Sequence, residues 1–173
     1  MNDLFDILKT LIPSLVVFFT AYYMIRQLLK REESRQQMEL MQNHQKLITP
    51  IRLQAYERLT LFMERINPES LIIRVSQGSK NNQWLQQNLL AAIREEFEHN
   101  LSQQLYVTPQ VWEEVKNAKE KMVQLINSTA IQLDPKSHSM ELSKAILEQY
   151  AQTQPQPTRN AISLLKNEIK ILF

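Results

Sequence analysis

The sequence contains no cysteine and only one glycine, Gly78. Without cysteine there is no disulfide, no thiolate metal site and no cysteine nucleophile. A lone glycine excludes the P-loop and the Rossmann fingerprint, in which closely spaced glycines let the backbone approach phosphate. It also argues against sheets joined by tight hairpins, because their turns draw on glycine for positive φ. Charge of one sign is missing too: a formal net charge of +2 gives no basis for binding nucleic acid. No strand-turn-helix elbow is apparent, so no serine, histidine and acid grouping has a supporting context. The chain is instead rich in Leu, Gln, Glu, Lys and Arg, which are good helix formers, and the expected fold class is all-α.

One stretch breaks the generally polar pattern. Leu4 to Leu29 reads LFDILKTLIPSLVVFFTAYYMIRQLL, and from Leu11 to Ile25 it carries no charge. At about 1.5 Å per residue such a helix can cross a hydrocarbon core of about 30 Å. Residues 1–29 are therefore expected to form a single transmembrane anchor that contacts the lipid bilayer through residues 4–29. Asp6 and Lys9 sit near one end, where Lys9 can reach the headgroups, and Pro13 near that end can bend the helix without breaking a long run. Asp3 and Asp6 precede the run, whereas Arg26, Lys30, Arg31 and Arg35 follow it, the reverse of a secretory signal peptide. By the positive-inside rule the N-terminus lies outside the inner (cell) membrane and the body of the chain in the cytoplasm. Tyr22 and Tyr23 fall where an aromatic belt would sit. No GxxxG pair marks a dimer seam in the run.

Residues 30–46, KREESRQQMELMQNHQK, have almost no apolar face and are expected to continue the helix as a polar stalk. Thr49-Pro50 predicts a break or kink. Beyond it, residues 47–173 are expected to form a compact antiparallel bundle of about four to six helices. Ile51, Ala55, Leu59, Phe62 and Ile66 recur at helical spacing on one face. Asn67-Pro68 stops that helix, with Asn67 placed to cap a following segment and Glu69 in its first turn. Residues 69–75, containing LIIRV, read as a short helix, with a strand left open. Ser76 to Asn82 is a loop. Trp84, Leu85, Leu89, Ile93, Phe97, Leu101 and Leu105 then mark one helix face. Thr108-Pro109 signals a further start, and Val111, Val115, Ala118, Met122, Ile126 and Leu133 carry its apolar side to Asp134-Pro135. Leu142, Ala145, Ile146 and Tyr150 mark another helix. Thr153 to Thr158, TQPQPT, reads as an extended linker before a last helix, Asn160 to Leu172, with Ile162, Leu165, Ile169 and Leu172 on one stripe.

Chemistry has few candidate carriers. His44 is expected in the polar stalk and His138 in a water-facing turn. His99 follows Glu96 by three residues, the Glu-x-x-His spacing by which di-iron bundles bring two ligands to one face. A di-iron site needs a second such pair, which the sequence lacks. Glu57 and Glu64 are the nearest supplementary acids, and the ordinary reading is a histidine beside a carboxylate. Arg52 and Tyr56, four apart on one helix face, can frame an anionic partner, with acids from Arg94 to Glu98 available if the helices pack. Here too a structural pair is the plainer reading. Arg52, Tyr56, Glu96 and His99 are thus weak interaction candidates. No catalytic residue, metal site, cofactor or small-molecule substrate is expected, and the chain reads as no enzyme.

The stretches PIRLQAYERLTLFMERINPESLIIRV and EEFEHNLSQQLYVTPQVWEEVKNAKE resemble an uncharacterised bacterial family of unknown function. The resemblance covers nearly the whole chain and implies one N-terminal membrane helix followed by a helical cytoplasmic region. It implies no activity, cofactor or site residue. The expected role is a membrane-tethered interaction or scaffold protein that meets an unidentified protein partner or forms a homo-oligomer. The alternatives are a structural stalk subunit of a larger membrane complex, similar in plan to the b-type stalk of rotary ATP synthases, and a carboxylate-histidine metal enzyme built on Glu96 and His99.

Overall fold

The structure is a computed structural model. It describes the backbone of residues 2–77 and 81–172, and within these the side chains of 15–32, 35, 36, 38, 48–77 and 81–171. The elements are α1 (Asn2–Ile66), α2 (Pro68–Val75), α3 (Asn82–Asn100), a 3-10 turn (Leu101–Leu105), α4 (Pro109–Ile131), α5 (Ser139–Gln152) and α6 (Pro157–Leu172). No strand occurs among the described residues, so the fold is all-α, and residues 69–75 are helical. The chain divides into two compact units, Met1–Thr49 and Pro50–Phe173.

In the first unit, the side chains from Leu15 to Leu29 are all exposed on α1. Phe18 stacks on Tyr22 one turn away, with ring centroids 6.5 Å apart. Thr20 turns its hydroxyl back onto the carbonyls of Val16 and Val17, each at 2.9 Å, so its polar group is satisfied within the helix. Among the described residues no helix is long and apolar enough to cross a membrane. The expected span begins at Leu4, and the side chains of 4–14, including Asp6, Lys9 and Pro13, lie outside the described residues, as does that of His44.

Of the break or kink expected at Thr49-Pro50, no break occurs: α1 is helical through both residues. Proline removes one i→i−4 bond and crowds the preceding turn, but this is one lost bond in a helix of 65 residues with strong helix formers on both sides.

The second unit is a helical bundle around one core. Ala55, Tyr56, Leu59, Phe62, Met63 and Ile66 of α1 are buried, while Ile51, predicted on that face, is 46% exposed. The Asn67 side chain accepts from Glu69 N at 3.1 Å and starts α2 with Pro68 in its first turn, as the sequence predicts. Asn81 caps α3 by accepting from Trp84 N at 2.8 Å. Asn82, predicted as loop, is instead the buried first residue of α3. Its Nδ2 donates to the Asp134 carbonyl at 2.9 Å and its Oδ1 accepts from Leu142 N at 3.3 Å, which ties α3 to the α4–α5 connection.

Leu85, Leu89 and Ile93 of α3 are buried as their spacing predicts, and Trp84 and Phe97 are half-buried. Leu101 and Leu105, predicted on the same face, are exposed by 40% and 76%. Helix geometry explains the difference: each step of four drifts about 40° round a 3.6-residue helix, so Leu101 already lies on the far side from Leu85, and the tighter 3-10 turn carries Leu105 farther.

Thr108 accepts from Val111 N and opens α4, whose Val111, Val115, Ala118, Met122 and Ile126 are buried. That helix packs on α3, α5 and α6. His138 is exposed, as expected of a turn residue, but it also caps α5, its Nδ1 accepting from Met140 N at 3.2 Å. The linker predicted at 153–158 is shorter: α6 starts at Pro157, and Pro157 and Thr158 are buried in its first turn. Thr158 pairs with the Tyr150 hydroxyl at 2.7 Å and accepts from Asn67 Nδ2 at 3.5 Å. These bonds fix a turn that composition alone reads as extended. From α6, Ala161, Ile162 and Leu165 enter the core.

Candidate functional site

The C-terminal turns of α1 run antiparallel to the end of α3. Phe62 meets Phe97 at 5.9 Å, Arg65 meets Glu96, and farther back Arg52 Nε donates to the Tyr106 carbonyl at 3.2 Å. This register separates the four candidates into two places. Arg52 sits at one end, and Glu96, held by Arg65, lies about 20 Å along the helix by the rise between residues 52 and 65. Acids from Arg94 to Glu98 therefore do not serve Arg52.

The acid beside Arg52 and Tyr56 comes from α6. Tyr56 is fully buried, and its hydroxyl lies beside both Arg52 and Glu168. Neither the hydroxyl nor Glu168 Oε2, which is also buried, makes a hydrogen bond of good geometry. Burial, and after it the Glu168 charge, raise the phenol above its ordinary value, while Arg52 opposes the shift. Arg52 and Tyr56 thus face an acid of their own chain. Glu168 carried one sequence signal, an acid set against the Leu165–Ile169 stripe.

Glu96 is the centre of the second place. Its Oε2 accepts from Arg65 Nη1 at 3.2 Å and its Oε1 from Arg74 Nη1 at 3.1 Å. Arg74 also donates to the Arg65 carbonyl at 3.4 Å, so one carboxylate links the ends of α1, α2 and α3. Its side chain is only 16% exposed, against 48% and 34% for the two arginines. With both oxygens engaged, Glu96 is not offered to a metal. Glu57 and Glu64 are exposed, and the Glu64 charge helps raise the Tyr150 phenol. Among the described residues no three His, Cys, Asp or Glu side chains form a group that could hold a metal.

An open cleft of about 340 Å³ lies beside this pair, with Leu61 and Phe62 as its apolar wall. Arg58, Arg65, His99 and Asn100 present polar groups to it. Glu96 and His99 share the cleft, though no hydrogen bond joins them. Behind the wall Phe97 stacks on Trp112 at 5.7 Å, and Lys119 Nζ sits 4.5 Å over the Phe97 ring. The sequence reading missed Arg65 and Arg74, and grouped Arg58 with Arg52 and Tyr56 rather than with His99. Arg58 and Arg65 are seven residues apart, two helical turns, with Leu61 between them, a spacing visible in the sequence.

The Glu96 pairing leads to a stability prediction. Glu96→Gln should lower stability by about 1 kcal/mol, because both ion pairs are partly solvated. Urea denaturation at low and high salt checks this, and the loss should shrink as salt screens the arginines.

Residues 2–172 match the family described as "Family of unknown function (DUF7935)". No curated protein and no solved structure matches the chain.

Proposed function

The chain belongs to the DUF7935 family of unknown function, and on that premise we propose that it is a membrane-tethered helical interaction protein. One observation carries the reading. From Leu15 to Leu29, α1 exposes apolar and aromatic side chains all round, including Phe18, Phe19, Tyr22 and Tyr23 at more than half of their surface. A helix of this kind needs a cover, because exposed apolar patches of such extent mark interaction with a membrane or a protein. The bases that follow, Arg26, Lys30, Arg31 and Arg35, favour a bilayer with its cytoplasmic face on their side. Together with residues 4–14 the run reaches a spanning length. In this reading Pro50–Phe173, with its own core, is the part offered to a protein partner or a second copy, and the anchor raises its effective concentration at the surface.

A stalk subunit fits less well, because α1 stops at Ile66 and the later helices return to one core. A metal enzyme has little support in a Glu96 already held by two arginines.

Carbonate extraction of membranes and a C-terminal reporter active only in the cytoplasm test the proposal. The chain should stay in the carbonate pellet and the reporter should be active. Release by carbonate would end the anchor, and an inactive reporter on a membrane-bound chain would reverse the orientation.

A further inference from the structure

We propose that the cleft at the α1–α3 seam is a binding site for a small, soluble organic phosphate monoester. It is built from Arg58, Leu61 and Arg65 on α1 and from His99 and Asn100 at the end of α3, independently of how the chain is anchored.

Charge argues first. Arg58 and Arg65 line the cleft with the single carboxylate of Glu96, and Arg74, outside the lining, holds the other oxygen of that carboxylate, so this group of side chains carries two positive charges. The C-terminus of α3 returns about half a negative charge to the same place. A phosphate monoester carries about −1.5 to −2 near neutral pH and matches what remains, whereas a monocarboxylate would leave the cleft positive. Glu57 and Glu64 are each one residue before a cleft arginine and Glu98 one before His99, about 100° round their helices, while Glu95 lies one turn before His99; none of them lines the cleft.

Donor geometry argues second. A guanidinium has five N–H groups, and the bonds from Arg65 and Arg74 to Glu96 hold both side chains while leaving donors free. Arg58 is exposed and bonds to no described residue. Asn100 spends its Nδ2 on the Glu96 carbonyl at 2.8 Å, which fixes its side chain at the rim. The pre-positioned partners lower the ordering cost of capturing an oxyanion.

The wall argues third. Leu61 is 56% exposed between Arg58 and Arg65, and Phe62 closes the floor, so the ligand's carbon body has an apolar surface to cover. The volume of about 340 Å³ suits a small molecule.

The test is calorimetric titration of the full chain, in mild non-ionic detergent, with phenyl phosphate, inorganic phosphate, benzoate and a short-chain phosphatidic acid. Phenyl phosphate should bind saturably, at least about 10-fold more tightly than benzoate and more tightly than inorganic phosphate. Arg58→Gln should weaken it by at least about 10-fold without changing the thermal unfolding curve. Leu61→Glu, at an exposed position, should do the same by adding a negative charge. Absence of saturation, equal binding of benzoate, or unchanged binding in both variants would overturn the site. Binding of the phosphatidic acid alone would assign the chemistry to a lipid headgroup and overturn the soluble ligand.

Discussion

Phe62→Ala should destabilise the unit Pro50–Phe173 by about 3 kcal/mol, at the low end of the range for a buried phenylalanine. Phe62 is 1% exposed and stands at the head of an aromatic row, 5.9 Å from Phe97, which in turn stacks on Trp112 at 5.7 Å. Truncation removes the transfer energy of the ring and leaves space behind it. The low end is expected because Phe62 also floors the cleft, so the vacated space opens toward solvent and water can enter it. Phe62→Leu keeps most of the volume and should cost about 1 kcal/mol. Urea denaturation followed through tryptophan emission measures both, since Trp112 belongs to the same row. A loss for the alanine variant no larger than for the leucine variant would show that the ring is not part of the core.

The second large effect lies at alkaline pH. Tyr56 and Tyr150 both have phenols raised above the ordinary 10.0, chiefly by burial. For Tyr150 the Thr158 hydrogen bond and then Arg159 oppose the shift, while Glu69 and Glu64 add to it. In the unfolded chain both phenols ionise at their ordinary value, so above about pH 10 the folded state retains protons that the unfolded state gives up. Their contribution is therefore complete below about pH 10 and is lost as the pH rises through the higher folded values. The urea midpoint should hold steady up to about pH 9.5 and then fall steeply. Replacing both residues with phenylalanine should flatten that fall. The two single variants should differ near neutral pH. Tyr56→Phe removes a hydroxyl that makes no good hydrogen bond and should be neutral or slightly stabilising, whereas Tyr150→Phe gives up the 2.7 Å bond to Thr158 and should cost about 1 kcal/mol. An alkaline limb unchanged in the double variant would mean that other groups set it.

The element types were legible because their signals are local. Asn67-Pro68 and Thr108-Pro109 each place a capping side chain ahead of a proline, and both start helices where the sequence says they should. The core faces of α1, α3 and α4 followed from spacing except at the ends of the stripes, where Ile51, Leu101 and Leu105 are exposed. At Pro50 the helix continues without a break, since a proline signal weighs one lost bond and does not see the helix formers around it. Pro157 and Thr158 were misjudged because their order comes from Asn67 and Tyr150, contacts that no window of neighbouring residues contains.

The candidate site was legible only in part, for the same reason. The sequence singled out Glu96 as one half of a pair with His99, three residues on. Its partners Arg65 and Arg74 lie 31 and 22 residues away, and only the packing of α1 and α2 against α3 brings them together. Arg52 and Tyr56 were set against acids between residues 94 and 98, but the acid beside Tyr56 is Glu168 of the last helix.

The bond between Asn67 and Thr158 joins residues 91 positions apart in the chain. Closing so long a loop costs entropy before the contact returns anything, so this corner should be consolidated late in folding, after α3, α4 and α5 have found their nearer neighbours. In native-state hydrogen exchange the first turn of α6 should then open together with the α1–α2 corner, as one cooperative unit that cuts across the order of the helices in the sequence.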